Sequence, residues 1–83
     1  MKFRAEIDIM PLKELLDPQG KAVTSGLRNI GIQEITDVRI GKHISIEMDA
    51  TDEKAAGAMV EDACKQLLAN LIMESYVFNL KKL

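Results

Sequence analysis

The sequence has 83 residues, of which 47% are hydrophobic and 29% charged, with a formal net charge of −2. This composition fits one small folded domain spanning residues 1–83. The acidic balance, the presence of only three aromatic residues and the lack of a basic cluster longer than Lys81-Lys82 count against nucleic acid as a partner. No apolar run approaches the roughly 20 residues that span a bilayer, so we expect no membrane partner either.

Cysteine usage and the first residues indicate a compartment. Cys64 is the single cysteine and cannot form an internal disulfide. The chain begins with charged, alternating residues, whereas a secretory signal needs an apolar run. We therefore expect a cytoplasmic protein.

The first predicted element is a strand over Lys2 to Met10. Phe3, Ala5, Ile7 and Ile9 alternate with charged residues, which is typical of a strand with one buried face. Pro11 ends it, because proline cannot donate to a ladder. Leu12 to Leu16 then connect the strand to the next element.

The stretch from Asp17 to Gly31 predicts a helix with capping residues at both ends. Asp17 can cap the free N–H groups of the first turn, Pro18 suits the first helical position, and Gly31 suits the left-handed residue after the last turn. An apolar stripe of the helix is expected to cover a sheet, and a strip of small residues to pack on the second helix. The stripe is Val23, Leu27 and Ile30, and the strip is Ala22, Ser25, Gly26 and Asn29.

A β-hairpin is expected next. Ile32 to Ile40 is a weaker strand whose apolar residues are in phase only if a bulge lies near Thr36 or Asp37. Gly41-Lys42 supplies the turn, and His43 to Met48 alternates clearly again.

The last part of the chain predicts a helix and a strand. Thr51 or Asp52 can cap a helix that runs to about Ala69, with Asn70 as a left-handed terminator. Its expected apolar face consists of Ala56, Val60, Ala63, Cys64 and Leu67. Ser75 to Leu80 alternates and predicts the final strand.

The element order is therefore strand, helix, strand, strand, helix, strand. Right-handed crossovers place both helices on one face of a four-stranded antiparallel sheet. The expected fold is thus α+β and ferredoxin-like, βαββαβ.

The residues predict no catalytic, cofactor or metal site. His43 is the only histidine and is expected to be a solvated strand residue, and Cys64 a small buried hydrophobe rather than a nucleophile. One Cys and one His cannot supply a metal's ligand set alone. Gly20-Lys21 lacks the glycine spacing and the following Ser or Thr of a phosphate-binding loop. From the residues alone, the sequence indicates a small non-catalytic module that associates.

Four strings in the sequence match the pattern of a known family. They are D-P-Q-G-K-A-V at Asp17–Val23, D-V-R-I-G-K at Asp37–Lys42, C-K-Q-L-L-A-N at Cys64–Asn70, and Glu74 with Tyr76. With these strings the chain resembles the PurS family. PurS is the small subunit of phosphoribosylformylglycinamidine (FGAM) synthase in organisms that divide the enzyme into three chains. The strings occur in order, and the resemblance covers nearly the whole chain.

The resemblance implies a role in de novo purine biosynthesis. A member of this family would form a homodimer or a dimer of dimers and bridge the glutaminase subunit PurQ and the large synthetase subunit PurL, so that ammonia passes between them. ATP, Mg and glutamine would be used by those partners, and this chain would bind no cofactor. For the contacts with the partners we select Gln19, Gly20, Arg39, Gly41 and Lys42, because the core does not need them.

Two other classes of protein are alternatives. A regulatory module of the ACT type shares the element order but usually needs a glycine in its first loop, and Pro11 to Leu16 has none. An enzyme of acylphosphatase-like fold would need an arginine in a glycine-rich first loop, where this chain has only Lys13.

Overall fold

The computed structural model describes all 83 residues, and its centre is the first strand. β1 spans Lys2–Pro11 and pairs antiparallel with β2, Lys42–Asp49, on one side and with β3, Glu74–Lys82, on the other. The sheet therefore has three strands in the order β2-β1-β3. The alternation in β1 is confirmed, since Phe3, Ala5, Ile7 and Ile9 are all buried.

The prediction of a four-stranded sheet is wrong, because residues 32–40 form no strand. The backbone N–H of Ile40 donates to the Asp17 side chain and that of Ile32 to the carbonyl of Leu27. The segment is thereby held against the first helix instead of a sheet edge. Consequently there is no hairpin at Gly41, and the architecture is βαβαβ.

The second helix covers the apolar face of the sheet over β1 and β3. α2 spans Glu53–Ala63 and continues as a π-helical turn over Cys64–Leu68. Ala56, Val60 and Cys64 are completely buried against β1 and β3, as predicted. Asp52 caps the helix by accepting from the N–H of Ala55 at 2.8 Å. The predicted left-handed Asn70 is wrong, because the only positive φ angle belongs to Gly31.

The first helix does not pack on the sheet. α1 spans Pro18–Asn29, and Gly20 is its only buried residue. The predicted cap at Asp17 and the left-handed Gly31 are confirmed. However, Val23 and Ile30 remain 40% and 71% exposed, and nothing lies within 4 Å of a Cβ built on Gly26. The expected contacts of α1 with the sheet and with the second helix are therefore absent within one chain.

The molecule is long and flat as a result. Its principal extents are 51 × 27 × 14 Å, and its radius of gyration is 16.5 Å, whereas a compact domain of this length has about 12 Å. None of its helices is both long enough and apolar enough to cross a lipid bilayer.

Candidate functional site

Asp17 joins the start of α1 to the segment before β2. Its Oδ1 accepts a hydrogen bond from the N–H of Gly20 at 3.0 Å, and its Oδ2 accepts one from the N–H of Ile40 at 2.9 Å. These two N–H groups hold the pKa of Asp17 below its usual 3.8. The bond to Ile40 could not be expected from the capping pattern, because it joins residues 23 positions apart.

Two glycines allow the backbones to approach each other here. A Cβ at Gly20 would lie 2.1 Å from the carbonyl oxygen of Val38, and one at Gly41 would lie 2.2 Å from that of Ile9. Both positions therefore exclude any side chain. The role assigned to Gly41 as a hairpin turn is wrong, since its φ is not positive and its function is close packing on β1.

A cleft of about 320 Å³ opens between these segments. Gln19, Gly41 and Lys42 line it, so the structure brings together three of the five residues selected from the sequence. Lys42 Nζ lies 3.7 Å from Glu74 Oε2 within the cleft lining. The remaining lining residues are Pro11, Leu16, Asp17, Pro18 and Ile40.

The other two selected residues occupy different positions. Gly20 is buried and shapes the backbone next to the cleft. Arg39 lines a separate cavity, together with Lys13 and Lys21, and its Nη2 atom is buried without a hydrogen-bond partner. Its guanidinium group is thus not part of the cleft.

His43 lies between two carboxylates on the outer face of the sheet. Its Nδ1 is 2.6 Å from Asp8 Oδ1 and its Nε2 is 2.5 Å from Glu6 Oε2. These hydrogen bonds raise the pKa of His43 above its usual 6.5, and the bond with Asp8 has the larger effect. The sequence by itself predicts only a solvated side chain at His43. The strand register, which pairs Asp8 with His43, was the missing information.

Elsewhere, the side chains that could be reactive have structural roles. Cys64 is completely buried, and burial raises the pKa of its thiol, which agrees with the prediction of a small hydrophobe. The Tyr76 hydroxyl donates to Glu61, and this bond raises the pKa of Tyr76 to about 12. No three His, Cys, Asp or Glu side chains are grouped so as to hold a metal ion. The cleft, in contrast, offers polar groups, a lysine–glutamate pair and apolar side chains. Such groups can bind another molecule.

Comparison with known proteins gives a consistent result. The family model "PurS: Phosphoribosylformylglycinamidine (FGAM) synthase" matches residues 4–82. The chain is 44% identical to phosphoribosylformylglycinamidine synthase subunit PurS of Synechocystis sp., over 98% of this chain and 81% of that protein. It is 30% identical to the same subunit of Bacillus subtilis, over 96% of this chain and 94% of that protein.

Solved structures agree with the fold. A chain of the PurLQS structure from Thermotoga maritima matches with a TM-score of 0.90 at 28% identity, over 98% of this chain and 99% of that one. PurS from Thermus thermophilus matches with a TM-score of 0.88 at 34% identity, over 100% and 99% of the two chains.

Proposed function

Since the chain belongs to the PurS family, we propose that it is the assembly subunit that bridges the glutaminase and the ATP-dependent synthetase of FGAM synthase and supports ammonia transfer between them. It is a subunit of a ligase of purine biosynthesis. The single observation that carries the assembly role is the close match, over almost the full length, to a chain of the PurLQS structure. The family match replaces the alternative of an ACT-like regulatory module.

The partners are the large subunit PurL and the glutaminase PurQ. In this proposal ATP, Mg and glutamine are used by those subunits, and this chain contributes binding surface and no cofactor site. Residues 1–83 act as one PurS domain in the cytoplasm. The alignment over residues 4–82 supports treating the chain as one functional unit.

The cleft beside α1 is the proposed contact surface for the larger subunits. Gln19 and Lys42 are exposed at its walls, where Lys42 also pairs with Glu74. Gly20 and Gly41 keep the two backbones close enough for the cleft to exist. Arg39 flanks the same surface from the other side of Asp17.

A second copy of the chain is the proposed cover of α1. Val23 and Ile30 of the α1 stripe are exposed and Leu27 is half-buried, while Ile44, Ile46 and Met48 of β2 are only partly buried. A chain this extended leaves apolar surface that a compact domain would bury. A homodimer, or a dimer of dimers, accounts for both exposed surfaces.

Reconstitution tests this function. The chain is mixed with PurL and PurQ from the same organism, and glutamine-dependent FGAM formation is measured with and without it. We expect activity to require the chain, and the double variant Gln19→Ala, Lys42→Ala to require a higher concentration for the same activity.

The matched control is Lys54→Ala on the solvated face of α2, which should behave as the wild type. Full glutamine-dependent activity without the chain would overturn the assembly role. Equal concentration dependence of the double variant and the wild type would exclude the cleft as the contact surface while leaving the assembly role in place.

A further inference from the structure

The polar face of α1 and the segment before β2 enclose two adjoining cavities that the proposed assembly does not explain. Their volumes are about 160 Å³ and 270 Å³, and Lys21 and Asp37 line both. A water molecule in the liquid occupies about 30 Å³. Each cavity is therefore large enough for a group of several heavy atoms. We call the two cavities together the arm groove.

Four cationic side chains converge on the arm groove. Lys13 and Arg39 line the smaller cavity, Arg28 lines the larger, and Lys21 lines both. None of them takes part in an ion pair of the protein. This concentration of unpaired positive charge is unexpected in a chain whose net charge is −2.

Arg39 gives an independent indication that an acceptor belongs here. Its Nη2 atom is buried and has no hydrogen-bond partner. A buried donor without a partner is destabilising, and such groups in folded proteins are nearly always satisfied by a protein group, an ordered water or a ligand. Since this atom has less than 1 Å² of accessible surface, an anion in the smaller cavity would supply the acceptor after a rotation of the guanidinium group.

The remaining lining is suited to an oxyanion. Ser25 and Thr36 place hydroxyl groups around the larger cavity, whereas the Thr24 hydroxyl already donates to the Gly20 carbonyl. Asp17 and Asp37 are the two acids of the lining, and Asp17 stays ionised because the N–H groups that it accepts lower its pKa. Four cations thus face two carboxylates, which leaves an excess of positive charge.

We propose that the arm groove binds the phosphate group of a phosphate monoester, with Arg39 and Lys21 on the phosphate oxygens and the larger cavity holding the rest of the ligand. Arginine and lysine are the usual phosphate-binding side chains, and hydroxyls complete such sites. This site adjoins the cleft through Asp17, which lines both, and shares Arg39 with the proposed contact surface, but phosphate binding does not depend on the proposed function.

The groove stays open when a second copy covers α1. Lys21, Thr24, Ser25 and Arg28 recur at i, i+3, i+4 and i+7 and therefore share one face of the helix. The stripe of Val23, Leu27 and Ile30 lies on the opposite side of the same helix. Dimerisation through the stripe is therefore compatible with ligand binding.

Titration of the full chain with a phosphate monoester tests the site. The probe is glycerol 3-phosphate, followed by calorimetry and by NMR shifts of the backbone amides, with glycerol as the unphosphorylated control. We expect binding of glycerol 3-phosphate and none of glycerol. Lys21→Gln and Arg39→Gln should each weaken binding by about tenfold or more, and Asp37→Asn should strengthen it.

The matched control is Lys54→Gln, which removes an exposed lysine from α2 and should leave the affinity unchanged. Because Arg39 is partly buried, its variant is compared with the wild type by circular dichroism; Lys21 is exposed, so its variant tests the site even if Arg39→Gln fails to fold. Equal affinity of Lys21→Gln and wild type would overturn the proposal. Binding of inorganic phosphate without glycerol 3-phosphate would overturn the assignment to a monoester.

Discussion

At the scale of single residues, Gly20 is a position where the structure has no room for a side chain. A Cβ there would lie 2.1 Å from the Val38 carbonyl oxygen and 2.7 Å from Asp17 Oδ2. The helix start and the segment before β2 would have to separate. We expect Gly20→Ala to lower the free energy of unfolding by about 1–3 kcal/mol, measured by urea denaturation.

Gly26→Ala in the same helix is the matched control. A Cβ at Gly26 meets nothing within 4 Å, and alanine is favoured over glycine inside a helix by about 0.5–1 kcal/mol. This variant should therefore be more stable than the wild type. If Gly20→Ala were as stable as Gly26→Ala, the close approach at Val38 would not constrain the fold.

His43 makes part of the stability depend on pH. Only a protonated imidazole can donate to both Asp8 and Glu6. The folded pKa of His43 lies above the usual 6.5, so its contribution is fully present below pH 6.5 and is lost as the pH rises through the folded pKa. The hydrogen bond from His43 lowers the pKa of Glu6 below 4.5, so the contribution of Glu6 is lost as the pH falls through its folded pKa.

The measurement is urea denaturation of the wild type and His43→Gln from pH 4 to pH 9. The stability difference between them should be largest between about pH 4.5 and 6.5, the usual pKa values of the two groups, and should shrink at higher pH. The effect is expected to be small because all three side chains are solvated. A difference that does not change with pH would show that His43 is not held as a cation.

At the scale of elements, sequence patterns predicted the helices and strands that are stabilised by local features. β1 follows from its uninterrupted alternation, and the starts of both helices follow from Asp17 and Asp52. Residues 32–40 were predicted wrongly because their position is set by contacts distant in sequence, namely Ile40 with Asp17 and Val38 with Gly20. Three of the selected residues, Gln19, Gly41 and Lys42, line the cleft together, whereas the separate position of Arg39 required the structure.

The π-helical turn is the other element that periodicity missed. A regular helix would place Leu67 on the buried face with Val60 and Cys64, but Leu67 is 82% exposed and Leu68 packs against the core instead. The wider turn at Cys64–Leu68 rotates the following side chains. We expect Leu68→Ala to lower the free energy of unfolding by about 1–2 kcal/mol and Leu67→Ala by less than about 0.5 kcal/mol, as measured by chemical denaturation. Equal losses would mean that the helix continues regularly in solution.

At the scale of the whole molecule, the shape indicates that a single chain leaves apolar surface uncovered. The radius of gyration of 16.5 Å exceeds the value of about 12 Å for a compact domain of this length. α1 accounts for the larger radius of gyration because it does not pack on the sheet, and it exposes Val23 and Ile30. The partly buried β2 residues Ile44 and Ile46 form a second apolar surface. Burying both surfaces in one interface would remove their apolar area from water, which favours association.

Val23→Asp tests that interface, because it places a charge in the apolar stripe where water would be removed. Sedimentation equilibrium should show a dimer for the wild type and a dissociation constant raised by at least about tenfold for the variant, equivalent to about 1.4 kcal/mol. Ser25→Asp adds the same charge on the opposite face of α1 and should remain dimeric. The melting temperature of the wild type should also rise with protein concentration, since association stabilises the folded chain by mass action. A Val23→Asp variant as dimeric as Ser25→Asp would place the second copy on another surface.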